Sequence, residues 1–106
     1  MKVEHLDNMV KGWFVGDFNP VVFPSKDIEV AVKSYKAGDY EAPHYHKVAT
    51  EITVIVSGEA LMANRNCKAG DILTLEPGFI TDFKAITDVV TVVVKSPSAK
   101  DDKYVV

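Results

Sequence analysis

The sequence predicts an all-β fold, a sandwich or barrel of short antiparallel strands. Short apolar or alternating runs recur about every 8–12 residues, with Gly and Pro between them. No stretch keeps the 3.6-residue periodicity of an amphipathic helix. Several runs are apolar on both faces, as strands buried between two layers are.

In chain order, Val10–Val15 is short, apolar and aromatic, and marks an N-terminal strand over about 10–16. "GDFNP" (Gly16–Pro20) and Pro24-Ser25 are breaks. "DIEVAVKSY" alternates, with Ile28, Val30, Val32 and Ser34 on one face and Glu29, Ala31, Lys33 and Tyr35 on the other. "KAGD" turns the chain, and "EITVIVSG" forms a strand that ends at Gly58. "EALMANRNCKAG" reads as a hairpin turning near Asn64-Arg65. "DILTLEPG" is a strand closed by Pro77-Gly78, "FITDFKA" follows, and "VVTVVVKSP" is apolar on both faces. "SAKDDKYVV" reads as an exposed tail or a last short strand.

"KAGD" occurs twice, at Lys36–Asp39 and Lys68–Asp71, each time leading into an extended segment. It is either one good turn used twice or the mark of two similar halves facing each other across a barrel.

With 106 residues, one domain spanning 1–106 is expected. A net charge of −3 without a basic run argues against nucleic acid and anionic membrane as partners. The single cysteine, Cys67, excludes an intramolecular disulfide framework and reads as a small buried hydrophobe. There is no apolar run of about 18 residues and no signal-peptide pattern, so the expected compartment is the cytoplasm. The strands that are apolar on both faces, Glu51–Ser57 and Val89–Val94, need cover on their outer side, and a homodimer supplies it.

The chemistry concentrates in "PHYHKVATEITVIVSG". On a strand, residues i and i+2 share a face, so His44 and His46 present both imidazoles to one place while Tyr45 points away. "KVAT" is short enough to reverse the chain, which lays Glu51 across from them. Two imidazoles and a carboxylate suit Fe(II), and also Mn, Ni, Cu or Zn, with positions left for water or substrate. The competing reading is a wet loop with a surface carboxylate.

The flanks bear on this choice. Gly38 to Gly58 reads G-x5-H-x-H-x4-E-x6-G, and "GDILTLEPGFITDF" (Gly70–Phe83) carries a Gly-Asp, an apolar strand and Pro77-Gly78. These two stretches resemble the paired signature motifs of the cupin family, over about residues 28–95. The resemblance implies a double-stranded β-helix, or jelly-roll barrel, with residues 97–106 peripheral. It also implies a divalent transition metal (Fe, Mn, Ni or Zn) on His44, His46 and Glu51. The family's fourth ligand, a histidine three residues past the Pro-Gly pair, is replaced by Thr81. Thr81 is expected beside the ligands or holding a water. Asp82 falls on the opposite face of its strand and would reach the site only through a bulge. His5 is far off and reads as a surface residue.

Strand parity assigns Thr53, Ile55, Leu73, Thr81, Phe83 and Val92 to the pocket wall, with Tyr40 at its edge. That lining is mostly apolar and small. Asp39, Glu41 and Asp71 read as turn residues, and Lys47 as a solvated lysine near the mouth.

Fold alone does not choose a function. Three readings follow. One is a metal-dependent oxygenase or isomerase on a small organic molecule, with Glu51 as the candidate base. Another is a module that binds or senses a sugar or an organic acid. The last is a structural protein with a degenerate site.

Overall fold

A computed structural model describes all 106 residues. After a 3-10 turn at Leu6–Asn8 the chain forms eleven strands. They are β1 (Trp13–Gly16), β2 (Phe23–Pro24), β3 (Glu29–Tyr35), β4 (Tyr40–Tyr45), β5 (Thr50–Ser57) and β6 (Glu59–Met62). Then come β7 (Arg65–Lys68), β8 (Ile72–Leu75), β9 (Thr81–Ala85), β10 (Val89–Ser96) and β11 (Tyr104–Val105). The strands build a six-stranded sheet, β2-β1-β3-β10-β5-β8, facing a five-stranded sheet, β11-β4-β9-β6-β7. Every pairing is antiparallel except β1–β2. No helix is long and apolar enough to cross a membrane.

The repeated tetrapeptide makes two equivalent turns. In each, the fourth-residue N–H donates to the first-residue carbonyl, and the aspartate side chain accepts the lysine N–H. The glycines, Gly38 and Gly70, have φ of 92° and 94°. Gly38 N–H donates to Ala85 of β9, and Gly70 N–H to Ile55 of β5. The first turn leads from the large sheet to the small one, and the second leads back. The sharper reading of the repeat, two similar halves across a barrel, is the one the bonding supports.

The hairpin between β6 and β7 turns at Ala63-Asn64, one residue earlier than read from sequence. Both residues have positive φ, 49° and 62°, as a two-residue hairpin turn of the primed kind requires.

The core occupies one end of the barrel. Ile55, Ala60, Met62, Cys67, Leu75, Phe83, Ala85 and Val89 form one buried cluster, with Tyr35 and Leu73 packed against it. The other end holds a cavity. Its wall on the large sheet is polar, because β3 turns Glu29, Lys33 and Tyr35 inward and its valines outward. Burying that face leaves the outer face of the large sheet rich in valine and isoleucine. There Val92 lies between Val32 and Val54, and Val94 between Val30 and Ile52. The expected apolar lining is thereby corrected: the valines of β3, and Val92 and Val94 of β10, are on the outside of the barrel.

Candidate metal centre and cavity

The cavity measures about 530 Å³ and is lined by His44, His46, Glu51, Thr53, Thr81 and Phe83 together with Lys33, Glu41, Lys95 and Glu29. Two of the three proposed ligands come from the β4 segment and its exit loop, and the third from β5.

A bulge in β4 sets the first. Glu41 opposes Phe83 and His44 opposes Thr81, so three steps along β4 match two along β9. Pro43 sits in the extra residue's stretch, where a missing N–H is tolerated. Because of the bulge both Glu41 and His44 face the cavity. Glu41 is therefore a site residue and not a turn residue. Its Oε1 accepts the Tyr35 hydroxyl at 3.1 Å and lies 3.8 Å from Lys33 Nζ. Burial and the Glu41 carboxylate push the Tyr35 hydroxyl far above its ordinary range.

His44 and His46 are both buried, their ring centroids 5.6 Å apart. Tyr45 points away and stacks on Tyr104 at 5.5 Å. His44 Nδ1 donates to the carbonyl of Ala42 at 2.9 Å, and His46 Nδ1 donates to the carbonyl of Asp102. A carbonyl only accepts, so Nδ1 carries hydrogen in both rings and Nε2 is the atom left for the cavity. His46 Nε2 lies 3.2 Å from Glu51 Oε1, and Glu51 Oε2 accepts the Thr53 hydroxyl at 2.9 Å. His46 thus has an acceptor at each ring nitrogen, an arrangement that favours its protonated form beside the carboxylate. The hydrogen bond His46 donates to Glu51 raises its pKa, burial opposes this, and the Asp102 carbonyl adds to the rise. Burial pushes the Glu51 carboxyl up, but bonds from His46 and Thr53 outweigh it and hold the carboxyl below its ordinary value.

The structure thus brings His46 and Glu51 into contact and leaves His44 beside them. No three His, Cys, Asp or Glu side chains converge closely enough to hold an ion. In kind, the donors fit a divalent transition metal: two imidazoles with Nδ1–H tied back to carbonyls and a buried carboxylate, all on one cavity.

Thr81 is buried opposite His44, its hydroxyl donating to the Asp82 carbonyl at 2.8 Å. Asp82 is turned to the hairpin, where Oδ1 accepts the Ala63 N–H at 3.1 Å. Thr53 and Phe83 line the cavity as parity predicts, and Phe83 packs on Tyr35 with centroids 4.4 Å apart. Four assigned wall residues lie elsewhere. Tyr40 is 58% exposed, before the bulge and outside the cavity. Ile55 faces inward but at the closed end, wholly inside the core cluster. Leu73 packs against that cluster. Val92 belongs to the outer row of β10, whose inner row is Val89, Thr91 and Val93. The apolar run of β10 carries no alternation from which its inner face could be read.

The residue that sequence reasoning missed is Asp102. It is 5% exposed, in the stretch that reads as a tail. Its carboxylate accepts the backbone N–H groups of Lys47, Val48 and Ala49 at 2.9 to 3.2 Å. Burial pushes its carboxyl up, and those three amides more than offset this and hold it below the ordinary range. Residues 97–106 are thus part of the site: β11 pairs with β4, and Lys47 Nζ sits 4.1 Å over the Tyr104 ring.

The sequence matches no family model, and no curated protein matches it. Solved structures do. An uncharacterized conserved protein with a double-stranded β-helix domain from Klebsiella pneumoniae superimposes with a TM-score of 0.73 at 23% identity, over 98% of this chain and 90% of that one. DMSP lyase DddQ from Ruegeria pomeroyi gives 0.71 at 22% identity, over 86% of this chain and 48% of that one. An RmlC-like cupin from Shewanella frigidimarina gives 0.65 at 18% identity, over 73% of this chain and 71% of that one. By fold, this chain is a small cupin-type double-stranded β-helix.

Proposed function

We propose that this chain is a metal-dependent enzyme, of oxygenase or isomerase type, acting on a small organic molecule inside the barrel. The observation that carries the reading is the orientation of His44 and His46. Each has its Nδ1–H bonded to a backbone carbonyl, and Glu51 lies against the Nε2 of His46. That is how second-shell partners prepare imidazoles to bind a metal. His44, His46 and Glu51 would hold the ion, which when bound supplies Lewis acidity and open positions for substrate. Thr53 orients the Glu51 carboxylate, which lines the cavity and is the candidate base. That a double-stranded β-helix such as DMSP lyase DddQ is an enzyme agrees with this reading.

The same reading takes the protein as one domain in the cytoplasm. It also takes it as a homodimer joined through the valine-rich outer face of the large sheet, with no nucleic acid or membrane as partner. That face exposes Ile52, Val56 and Ile72 around the Val92 row.

One observation favours a second reading, a non-catalytic module that binds a sugar or an organic acid. The three ligands do not converge on one point, and Thr81 stands where a fourth would be.

The test is metal content by inductively coupled plasma mass spectrometry on protein purified without a nickel column, beside a His46→Ala/Glu51→Ala double variant. About one metal per chain, lost in the variant, is expected for a three-ligand site. Protein that holds no metal and takes up none of Fe(II), Mn, Ni or Zn rejects the metalloenzyme and leaves the binding module.

A further inference from the structure

The large-sheet wall of the cavity carries three polar groups that neither the ligand set nor the core uses. The first is Thr91. Its hydroxyl oxygen is the one buried side-chain polar atom without a hydrogen-bond partner, and the residue is 1% exposed on the cavity wall. A buried hydroxyl left unpaired costs stability, and a valine of the same shape would not. Its neighbours along the strand are valines, so the hydroxyl is an exception in an apolar run.

The other two are Lys33 and Lys95. Lys33 is the register partner of Thr91 across β3 and β10, and both point inward. The Lys33 and Lys95 side chains are only 21% and 11% exposed. Each faces a carboxylate but loosely. Lys33 Nζ is 3.8 Å from Glu41 Oε1, and Lys95 Nζ is 3.4 Å from Glu29 Oε1. A charge-assisted hydrogen bond is shorter, about 2.7–2.9 Å. Both ammonium groups lie beside the Trp13 ring, 5.6 and 5.4 Å from its centroid, so both flank the same part of the cavity lining. Burial lowers the Lys33 pKa, with Glu41 opposing it. Two partly desolvated ammonium groups and an orphan hydroxyl, all donors, face the same space as His46 and Glu51.

We propose that Lys33, Lys95 and Thr91 form a subsite for the carboxylate of an anionic small-molecule substrate. The proposal rests on the reading that this cavity is the substrate site. A carboxylate is chosen over a phosphate because Glu29, Glu41 and Glu51 line the same cavity, and a dianion would meet their charge more strongly. One carboxylate oxygen takes the Thr91 hydroxyl and Lys33, and the other faces Lys95. The substrate's remaining atoms then extend toward His46 and Glu51.

The test is binding of lactate, malate and gluconate to chelator-treated and metal-loaded protein, by calorimetry and by the emission of Trp13, the only tryptophan. Lactamide and methyl phosphate are the comparison ligands. At least one carboxylate should bind, more tightly than either comparison ligand. Lys33→Met and Lys95→Met should each weaken that binding about tenfold or more, the scale of a charge-assisted hydrogen bond. Lys33→Arg should keep it within a few-fold. Thr91→Val should move two readouts in opposite directions, raising the melting temperature of the free protein while weakening carboxylate binding, which a merely structural threonine would not do. Metal uptake by Thr91→Val, which changes no charge, should stay as in the parent chain.

The proposal is overturned if no carboxylate binds with or without metal, if lactamide or methyl phosphate binds as well, or if the lysine variants bind equally. Metal uptake without carboxylate binding removes the subsite and leaves the metal reading standing. Lysine-dependent carboxylate binding without metal uptake supports the subsite and removes the metal.

Discussion

The backbone carbonyl of Asp102 accepts the Nδ1–H of His46, 56 residues earlier in the chain. The same residue's carboxylate gathers the N–H groups of the loop that follows His46. One C-terminal residue therefore fixes the ring orientation of a proposed ligand and the path from β4 to β5. Asp102→Ala leaves three loop amides without their acceptor, and should cost about 1–3 kcal/mol in urea unfolding. Asp102→Asn keeps an acceptor oxygen and should cost less. The folded Asp102 pKa is depressed, so the stability it contributes is present above its unfolded value of about 3.9 and is lost as pH falls through the folded one. Acid titrations should therefore show less loss between neutral and low pH for Asp102→Asn than for the parent chain. Equal slopes would sink this assignment.

What the sequence told and hid follows from the range of the interactions. The strands, the KAGD turns and the inward row Glu51, Thr53, Ile55 were legible because alternation and turn chemistry are local. Glu41 was misread because a bulge shifts parity by one, although Pro43 was the available sign of it. The inner face of β10 was not legible, since Val89–Val94 is apolar on both sides and only its pairing with β3 and β5 decides. Asp102 was hidden for a different reason. Its partners lie more than fifty residues away, and the one clue was a turn, "KVAT", with no aspartate, asparagine or serine of its own to cap its amides.

The His46–Glu51 pair should set the pH window of the metal-free protein. The folded His46 pKa is raised, so its contribution is full below the unfolded value of about 6.5 and lost as pH rises through the folded one. The folded Glu51 pKa is lowered, so its contribution is present above about 4.3 and lost as pH falls. Melting temperature should peak at mildly acidic pH, and Glu51→Gln should flatten that peak. Metal must displace the His46 proton, so uptake should weaken as pH drops and release a proton. Calorimetry in two buffers of different ionisation enthalpy measures that proton directly.

The outer face of the large sheet predicts the oligomeric state. Val92 sits at its centre, flanked by Val32 and Val54. Val92→Lys would place a charge in the middle of the proposed dimer contact. Sedimentation velocity should show dimer for the parent chain and monomer for the variant, with the far-ultraviolet circular dichroism unchanged. A parent chain that sediments as a monomer at high micromolar concentration would show that the face meets no second copy.

The glycines that open and close the first motif should behave differently under the same substitution. Gly38 has φ of 92°, and a Cβ there meets nothing within 4 Å. Gly38→Ala should cost only the backbone strain, about 1–2 kcal/mol. Gly58 has φ of 85°, and a Cβ there would lie 2.0 Å from the Asp88 carbonyl oxygen and 2.9 Å from Thr87 Oγ1. The first of these is a backbone atom at the turn into β10, and Glu59 N–H is already bound to the Thr87 hydroxyl. The neighbour cannot swing away without moving β10, which carries Thr91 and Lys95. Gly58→Ala should therefore cost more than about 3 kcal/mol, in the range that marks a named structural clash. Paired thermal melts of the two variants decide it: similar small losses would mean that the end of β5 gives more easily than its bonding implies.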